Sequence, residues 1–157
     1  MKTPEPLPIV TLSTEDFAPH DRVSAFEAAA AAICKLAIVP QAADSYTSST
    51  TIKILPGVVT ARTSHSASVT TRTRGMAADE ADNLLIHVPL NGGFSMAQLG
   101  GPAIECKAGE VYLDPNEVAG RAAFHAPQTD LLYVSIPRAA LMQSPQVLNG
   151  RLRQTMK

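Results

Sequence analysis

The sequence has no tryptophan, only two cysteines and few charged residues. Of its 157 residues, 17% are charged and 45% are hydrophobic, and the formal net charge is −1. A chain of this length and composition is expected to fold as one soluble domain around one core. Because a net charge near zero is poor for neutralising phosphates, we expect this chain by itself to bind DNA weakly.

The sequence also lacks an apolar run long enough to cross a bilayer. Its first residues contain three prolines and no apolar signal core, which predicts a flexible N-terminal arm over residues 1–12 of a cytoplasmic protein. Cys34 and Cys106 are far apart in sequence and flanked by apolar or small residues. We therefore expect buried, reduced thiols and no disulfide.

The motifs of common enzyme classes are missing. There is no G-x-S-x-G sequence, no glycine-rich phosphate loop and no C-x-x-C pair. The four histidines lie in four separate segments, at positions 20, 65, 87 and 125, without an H-x-H pair or a carboxylate in ligand spacing. We predict no catalytic residue, no metal site and no cofactor, and so a protein that is not an enzyme.

What the sequence does contain is a series of strand-like runs separated by turns. In LLIHVPL (84–90) the alternation places Leu84, Ile86, Val88 and Leu90 on one face, and Asn91-Gly92-Gly93 predicts a tight hairpin turn. Further strands are predicted at 52–55, 58–66, 111–113, 121–124 and 131–136, with turns at Pro56-Gly57 and Ala108-Gly109-Glu110 and a loop at 126–130. This pattern is typical of a small antiparallel β fold.

Two segments have helical spacing instead. After Pro19, apolar residues recur on one side of a predicted helix that ends at Pro40, namely at Val23, Phe26, Ala30, Ile33 and Ala37. Near the other end, Pro137-Arg138 predicts a short helix over Ala139–Gln143, and a further helix is expected after Ser144-Pro145.

Short matches from residue 13 to residue 153 follow the order of one known protein family. They comprise Ser13-Thr14-Glu15-Asp16-Phe17, Asp21-Arg22, Phe26, Arg72-Thr73, the segments 84–92 and 109–115, and Leu132 to Pro137-Arg138 with Leu141. In order and spacing these resemble the N-terminal sensor domains of AraC/XylS-type transcription regulators. The spacing of Gly109 and Pro115 also resembles the second conserved motif of cupins, although the histidine that follows the proline in metal-binding cupins is absent here.

The resemblance implies a mostly β fold, a cupin-like jelly-roll barrel with an N-terminal helix and C-terminal helices packed outside. It implies a sensor domain over residues 13–143 and the start of a linker or dimerisation helix over 144–157. The implied function is non-catalytic: the effector-binding and dimerisation domain of a bacterial AraC-type regulator. Its partners would be an unknown small-molecule effector, a second copy in a homodimer, and DNA through a separate helix-turn-helix domain.

Four residues are predicted to bind the effector: His87, Arg72, Tyr112 and Tyr133. His87 and Pro89 interrupt the apolar strand, and a neutral imidazole facing the barrel can both donate to and accept from a polar ligand. Tyr112 and Tyr133 lie on strands expected to flank the same cavity, and Arg72 is expected to supply charge at its mouth. A His87 that faces outward and is only solvated fits the pattern equally well.

Two other functions remain open from the sequence. One is a stand-alone small cupin enzyme that acts on a sugar or small acid, which bound metal and turnover would reveal. The other is a structural oligomerisation domain whose barrel is filled by side chains.

Overall fold

The computed structural model describes residues 7–78 and 82–141 together with the backbone of Thr155–Met156. Within this part of the chain ten strands belong to one antiparallel sheet. The strands are β1 (Ile9–Ser13), β2 (Ala37–Pro40), β3 (Ser48–Leu55), β4 (Val58–Arg72), β5 (Asn83–Asn91), β6 (Gly93–Gln98), β7 (Ala103–Lys107), β8 (Val111–Pro115), β9 (Gly120–Pro137) and β10 (Thr155–Met156). The helices are α1 (Arg22–Ala30), α2 (Arg74–Ala78) and α3 (Arg138–Leu141).

The sheet has two halves, which share the long strands β4 and β9. Their pairing jumps from Ser66 opposite Gln128 to Ser68 opposite Phe124, so three residues of β9 lie opposite Ala67 alone. A bulge of this kind bends both strands. One half has the order β1-β3-β4-β9-β5-β8-β10, and the other contains β2, β4, β9, β6 and β7. The pairings between described strands do not close on themselves, so the predicted barrel is an open, folded sheet.

The predicted hairpin at Asn91-Gly92-Gly93 is wrong, because β5 and β6 do not pair with each other. Strand β5 pairs with β8 and β9, whereas β6 pairs with β7 and β9. The turn instead carries the chain from one half of the sheet to the other. It needs glycine: Gly93 has a φ of 151°, and a Cβ there would lie 2.8 Å from the carbonyl oxygen of Cys106.

The predicted hairpin at Pro56-Gly57 is confirmed. Strands β3 and β4 pair from Leu55 opposite Val58 to Ser48 opposite His65, and Gly57 has a φ of 74°. The predicted loop at 126–130 is wrong, because these residues belong to the continuous strand β9. The segment Ala-Pro-Gln-Thr-Asp contains part of the bulge, and from Gln128 onward β9 pairs with β4 again.

The predicted helices are present but shorter. Helix α1 ends at Ala30, and Ala37–Pro40 forms β2, which pairs with the far end of β4. Ile38 and Val39 favour a strand where an edge is available, and this pairing outweighs the helical spacing. Helix α3 covers Arg138–Leu141, and the remainder of the predicted segment 139–143 lies outside the described residues.

Both chain ends contain a short strand where they are described. Ile9–Ser13, which begins in the predicted arm over residues 1–12, forms β1 and pairs with β3. The predicted linker helix at 144–157 lies outside the described residues except for Thr155–Met156, which pair with β8 as a strand. No helix in the described ranges is both long and apolar enough to span a membrane.

Candidate functional site

A central cavity lies between the two halves of the sheet and beneath helix α1. It has a volume of about 80 Å³. Its walls are mostly apolar and include Phe26, Ile33, Ile52, Met96 and Phe124. Its polar lining consists of Tyr46, Thr50, Thr63, His65, Ser68, Thr70, Arg72, His87, Asp114 and Tyr133. This volume exceeds the space that one water needs, so a small molecule has room.

Strand alternation brings the polar groups to this cavity. On β5 the inward residues are Leu85, His87 and Pro89, whereas Leu90 is 46% exposed. His87 therefore points inward, and on the alternate face Ile86 and Val88 are half-buried and Leu90 is exposed. A period of two fixes which residues share a face, and packing decides which face is buried.

Arg72 and Asp114 form a buried ion pair in the wall of the cavity. Arg72 Nη2 donates to Asp114 Oδ1 at 2.7 Å, and the two side chains are 9% and 2% exposed. The guanidinium also donates to the carbonyl oxygens of Val118 (2.8 Å) and Pro115 (3.2 Å) and to Asn116 Oδ1 (3.2 Å). All three guanidinium nitrogens are therefore engaged by the protein itself.

This pairing fixes the charge of both groups. Burial alone would raise the pKa of Asp114, but the His87 ring and the Arg72 guanidinium outweigh it and hold that pKa below the usual aspartate value. Burial would likewise lower the pKa of Arg72, and the Asp114 carboxylate reverses this and raises it. The pair is thus ionised on both sides and neutral as a unit.

His87 lies between this ion pair and a cluster of aromatic rings. Its ring centroid is 4.9 Å from that of Tyr133 and 5.8 Å from that of Tyr112, both in edge-to-face geometry. Its Nε2 lies 3.2 Å from Asp114 Oδ2. This contact does not meet hydrogen-bond geometry, and Nε2 is otherwise buried without a hydrogen-bond partner in the protein.

Two further cavity residues have the same property. Ser68 Oγ is buried and has no hydrogen-bond partner in the protein, and Tyr46 Oη, near the Ser48 side chain, is buried without a partner in hydrogen-bond geometry. Burial raises the pKa of Tyr46 to about 12, so its hydroxyl keeps its proton and remains a donor. A buried polar group without a partner costs about 1–3 kcal/mol. Three such groups around one cavity form a set of donors and acceptors that a bound molecule can satisfy.

The opposite wall holds polar groups that are already partnered. His65 Nδ1 lies 3.0 Å from the Ser66 carbonyl oxygen, and its ring packs edge-on against Phe124 at 4.4 Å. Burial lowers the pKa of His65, which favours the neutral ring. The hydroxyls of Thr50 and Thr63 bond to each other across β3 and β4 at 2.8 Å.

The four predicted ligand-binding residues are therefore partly brought together. His87, Arg72 and Tyr133 line the cavity, but Arg72 is buried in the wall and does not lie at an open mouth. Tyr112 lies outside the lining, in a core cluster with Phe94 and Cys106, and its hydroxyl accepts a bond from Gln98 Nε2 at 3.5 Å. Burial raises the pKa of Tyr133, so its hydroxyl also stays protonated.

Sequence reasoning missed Asp114, His65, Tyr46 and Ser68. A signal existed for Asp114, because a lone carboxylate in the strand VYLDP invites a search for a buried cation. No such signal marks the others, which lie in a segment rich in serine and threonine. The described residues hold no group of three or more histidine, cysteine, aspartate or glutamate side chains placed to bind a metal ion.

No protein-family model and no curated protein matches the sequence. The fold is similar to that of the AraC-like transcriptional activator CuxR, with a TM-score of 0.76 and 14% identity. The match covers 96% of this chain and 55% of that one, so this chain spans about half the length of the activator. At this identity the likeness establishes the fold alone.

Weaker likenesses extend to cupin-type structures. A cupin-like protein from Thermotoga maritima has 11% identity and a TM-score of 0.48, over 66% of this chain and 74% of that one. KdgF from Halomonas has 15% identity and a TM-score of 0.46, over 58% of this chain and 79% of that one. Neither is close enough to support a functional argument.

Proposed function

We propose that this chain is the effector-binding domain of an AraC-type transcription regulator. A small molecule binds in the central cavity, the domain pairs with a second copy, and DNA is contacted by a separate helix-turn-helix domain. The proposal draws on the fold shared with an AraC-like activator across nearly all of this chain. It also draws on the order of the family-like motifs from Ser13 to Arg153.

The observation that carries the proposal is the set of unsatisfied polar atoms around the central cavity. His87 Nε2, Tyr46 Oη and Ser68 Oγ are buried at the cavity and lack a hydrogen-bond partner in the protein, although His87 Nε2 lies 3.2 Å from Asp114 Oδ2. A domain that served only to hold a shape would gain stability by replacing these groups with apolar ones. Their retention around one space is what a ligand-binding role requires.

A thermal-shift screen of metabolites tests effector binding. A molecule that binds only the folded state at 100 times its Kd stabilises it by about 2.7 kcal/mol, which is measurable as a rise in Tm. We expect at least one stabilising compound, and we expect His87→Ala to abolish its effect. The matched control is His125→Ala, because His125 is exposed on β9 and outside the cavity lining.

The screen also has outcomes that would contradict the proposal. An unchanged shift in His87→Ala would remove His87 from the site. A ligand whose crystallographic density lies outside the cavity would remove the cavity from the function. A sedimentation experiment that finds only monomer at tens of micromolar would contradict the proposed dimerisation.

A cupin-type enzyme is the second candidate, and one observation favours it. Asp114 and His87 lie side by side at 3.2 Å in the buried wall of the cavity, and such a carboxylate and imidazole can exchange protons with a substrate. Incubating the protein with any compound found in the screen separates the candidates. A sensor returns the compound intact by NMR, whereas an enzyme consumes it, with a stoichiometric metal in elemental analysis if the metal-dependent cupin chemistry applies.

A further inference from the structure

The arginine and aspartate that line the central cavity balance each other within the protein. Among the described residues that line it, Arg72 is the single lysine or arginine and Asp114 the single aspartate or glutamate. The two bond to each other at 2.7 Å, and both are at least nine-tenths buried. A ligand therefore meets a neutral pair, with no excess of either sign from these residues.

Most N–H donors of the Arg72 guanidinium are already hydrogen-bonded within the protein, so few remain for an anionic ligand. Its Nε, Nη1 and Nη2 donate to Val118, Asn116, Asp114 and Pro115, all of which belong to β8 or to the segment that follows it. An anionic ligand would have to displace some of these acceptors. It would then leave Asp114 buried beside a second negative charge.

The cavity-lining groups described above as lacking a hydrogen-bond partner are two hydroxyls and one imidazole nitrogen. The hydroxyls of Tyr46 and Ser68 each donate one bond and accept others, and an imidazole nitrogen does one or the other. Around them the wall is apolar, with Phe26, Ile52 and Met96 among its residues. This combination suits a ligand with an apolar body and a few hydroxyl or carbonyl groups.

We infer that the central cavity selects an uncharged small molecule bearing hydroxyl or carbonyl groups, and that the Arg72–Asp114 pair excludes charged ones. In this assignment Arg72 is a positioning residue: it holds the end of β8 against β4 and keeps Asp114 neutralised. The inference rests on the proposed ligand-binding function and specifies the chemical class of the ligand.

Three probes of similar size and different charge test the inference: benzyl alcohol, benzoate and benzylamine. Binding of each to the full chain is measured by saturation-transfer NMR at about pH 8, where histidine is ordinarily neutral and benzylamine is a cation. We expect benzyl alcohol to bind at least tenfold more tightly than either charged probe. The control is Ala30→Leu, which places a larger side chain at the cavity wall and should abolish the signal.

The results separate this inference from the broader proposal. Tighter binding of benzoate or benzylamine, lost in Ala30→Leu, would overturn the inference while leaving a ligand in the cavity. Absence of binding by all three probes would also overturn it, and the metabolite screen would then decide the proposed function independently.

A charge substitution tests the role of Arg72 directly. Asp114→Asn leaves the guanidinium without its counter-charge, so benzoate should bind this variant at least tenfold more tightly than it binds the wild type. An unchanged benzoate affinity in a folded variant would overturn the assignment. If Asp114→Asn does not fold, the comparison of the three probes on the wild type still decides the inference.

Discussion

Arg72 on β4 and Asp114 on β8 are joined by a buried ion pair, although their strands are not hydrogen-bonded neighbours. The contact spans the interior from one half of the sheet to the other. Arg72 also holds the carbonyl groups of Pro115 and Val118, which follow β8. One side chain therefore fixes the position of a whole strand end beside the cavity.

Removing one partner of this pair should be strongly destabilising. Arg72→Ala leaves the Asp114 carboxylate buried without a counter-charge, which costs about 3–5 kcal/mol. Urea unfolding followed by circular dichroism measures the loss. Arg138→Ala is the control, because it removes ion pairs with Asp82 and Glu117 that are largely exposed and contribute about 0–1 kcal/mol. Equal losses in the two variants would contradict the buried pairing.

The same pair predicts a specific sensitivity to acid. The folded-state pKa of Asp114 is depressed, so its stabilising contribution is complete well above the unfolded value of about 3.9 and is lost as the pH falls through the folded value. We expect the stability difference between wild type and Asp114→Asn to be constant from about pH 7 to 5 and to shrink below about pH 4. A difference that stays constant down to pH 3 would contradict the depressed pKa.

His65 predicts a second and separate pH window. Burial depresses its folded-state pKa, so the neutral ring stabilises the fold above the ordinary histidine value of about 6.5. That contribution is lost as the pH falls from 6.5 towards the folded value. The free energy of unfolding should therefore decline between about pH 7 and 5 in wild type and less in His65→Leu. Equal slopes in the two proteins would contradict the lowered pKa of His65.

The turn between β5 and β6 should not tolerate a side chain. Gly93→Ala places a Cβ 2.8 Å from the Cys106 carbonyl oxygen, in addition to an unfavourable φ of 151°. Gly109→Ala is the matched control, with a φ of 82° but open space around the new atom. The control should cost about 1–2 kcal/mol from the backbone alone, and Gly93→Ala about 1–3 kcal/mol more from the forced contact. Similar denaturant midpoints in the two variants would show that the turn relaxes freely.

The sequence by itself determined the local structure of the strands. Alternation and turn residues located the β3–β4 hairpin, the strands β5 and β8 and the glycine turns, because a period of two and a positive φ are properties of a few adjacent residues. The sequence could not predict which strands pair with each other. The Asn91-Gly92-Gly93 turn has the composition of a hairpin, yet the strands on either side find their partners far away in the chain.

Some features of the candidate site could likewise be predicted from the sequence and others could not. Composition and alternation could suggest that His87 points inward, since a polar residue stood out in an apolar strand. The sequence could not reveal that Arg72 is neutralised by Asp114, 42 residues away, or that Tyr46 and Ser68 share the cavity with His87. These relationships depend on how β4 and β9 bend at their bulge. Only the tertiary structure decides them, because long-range packing brings together groups that no local pattern connects.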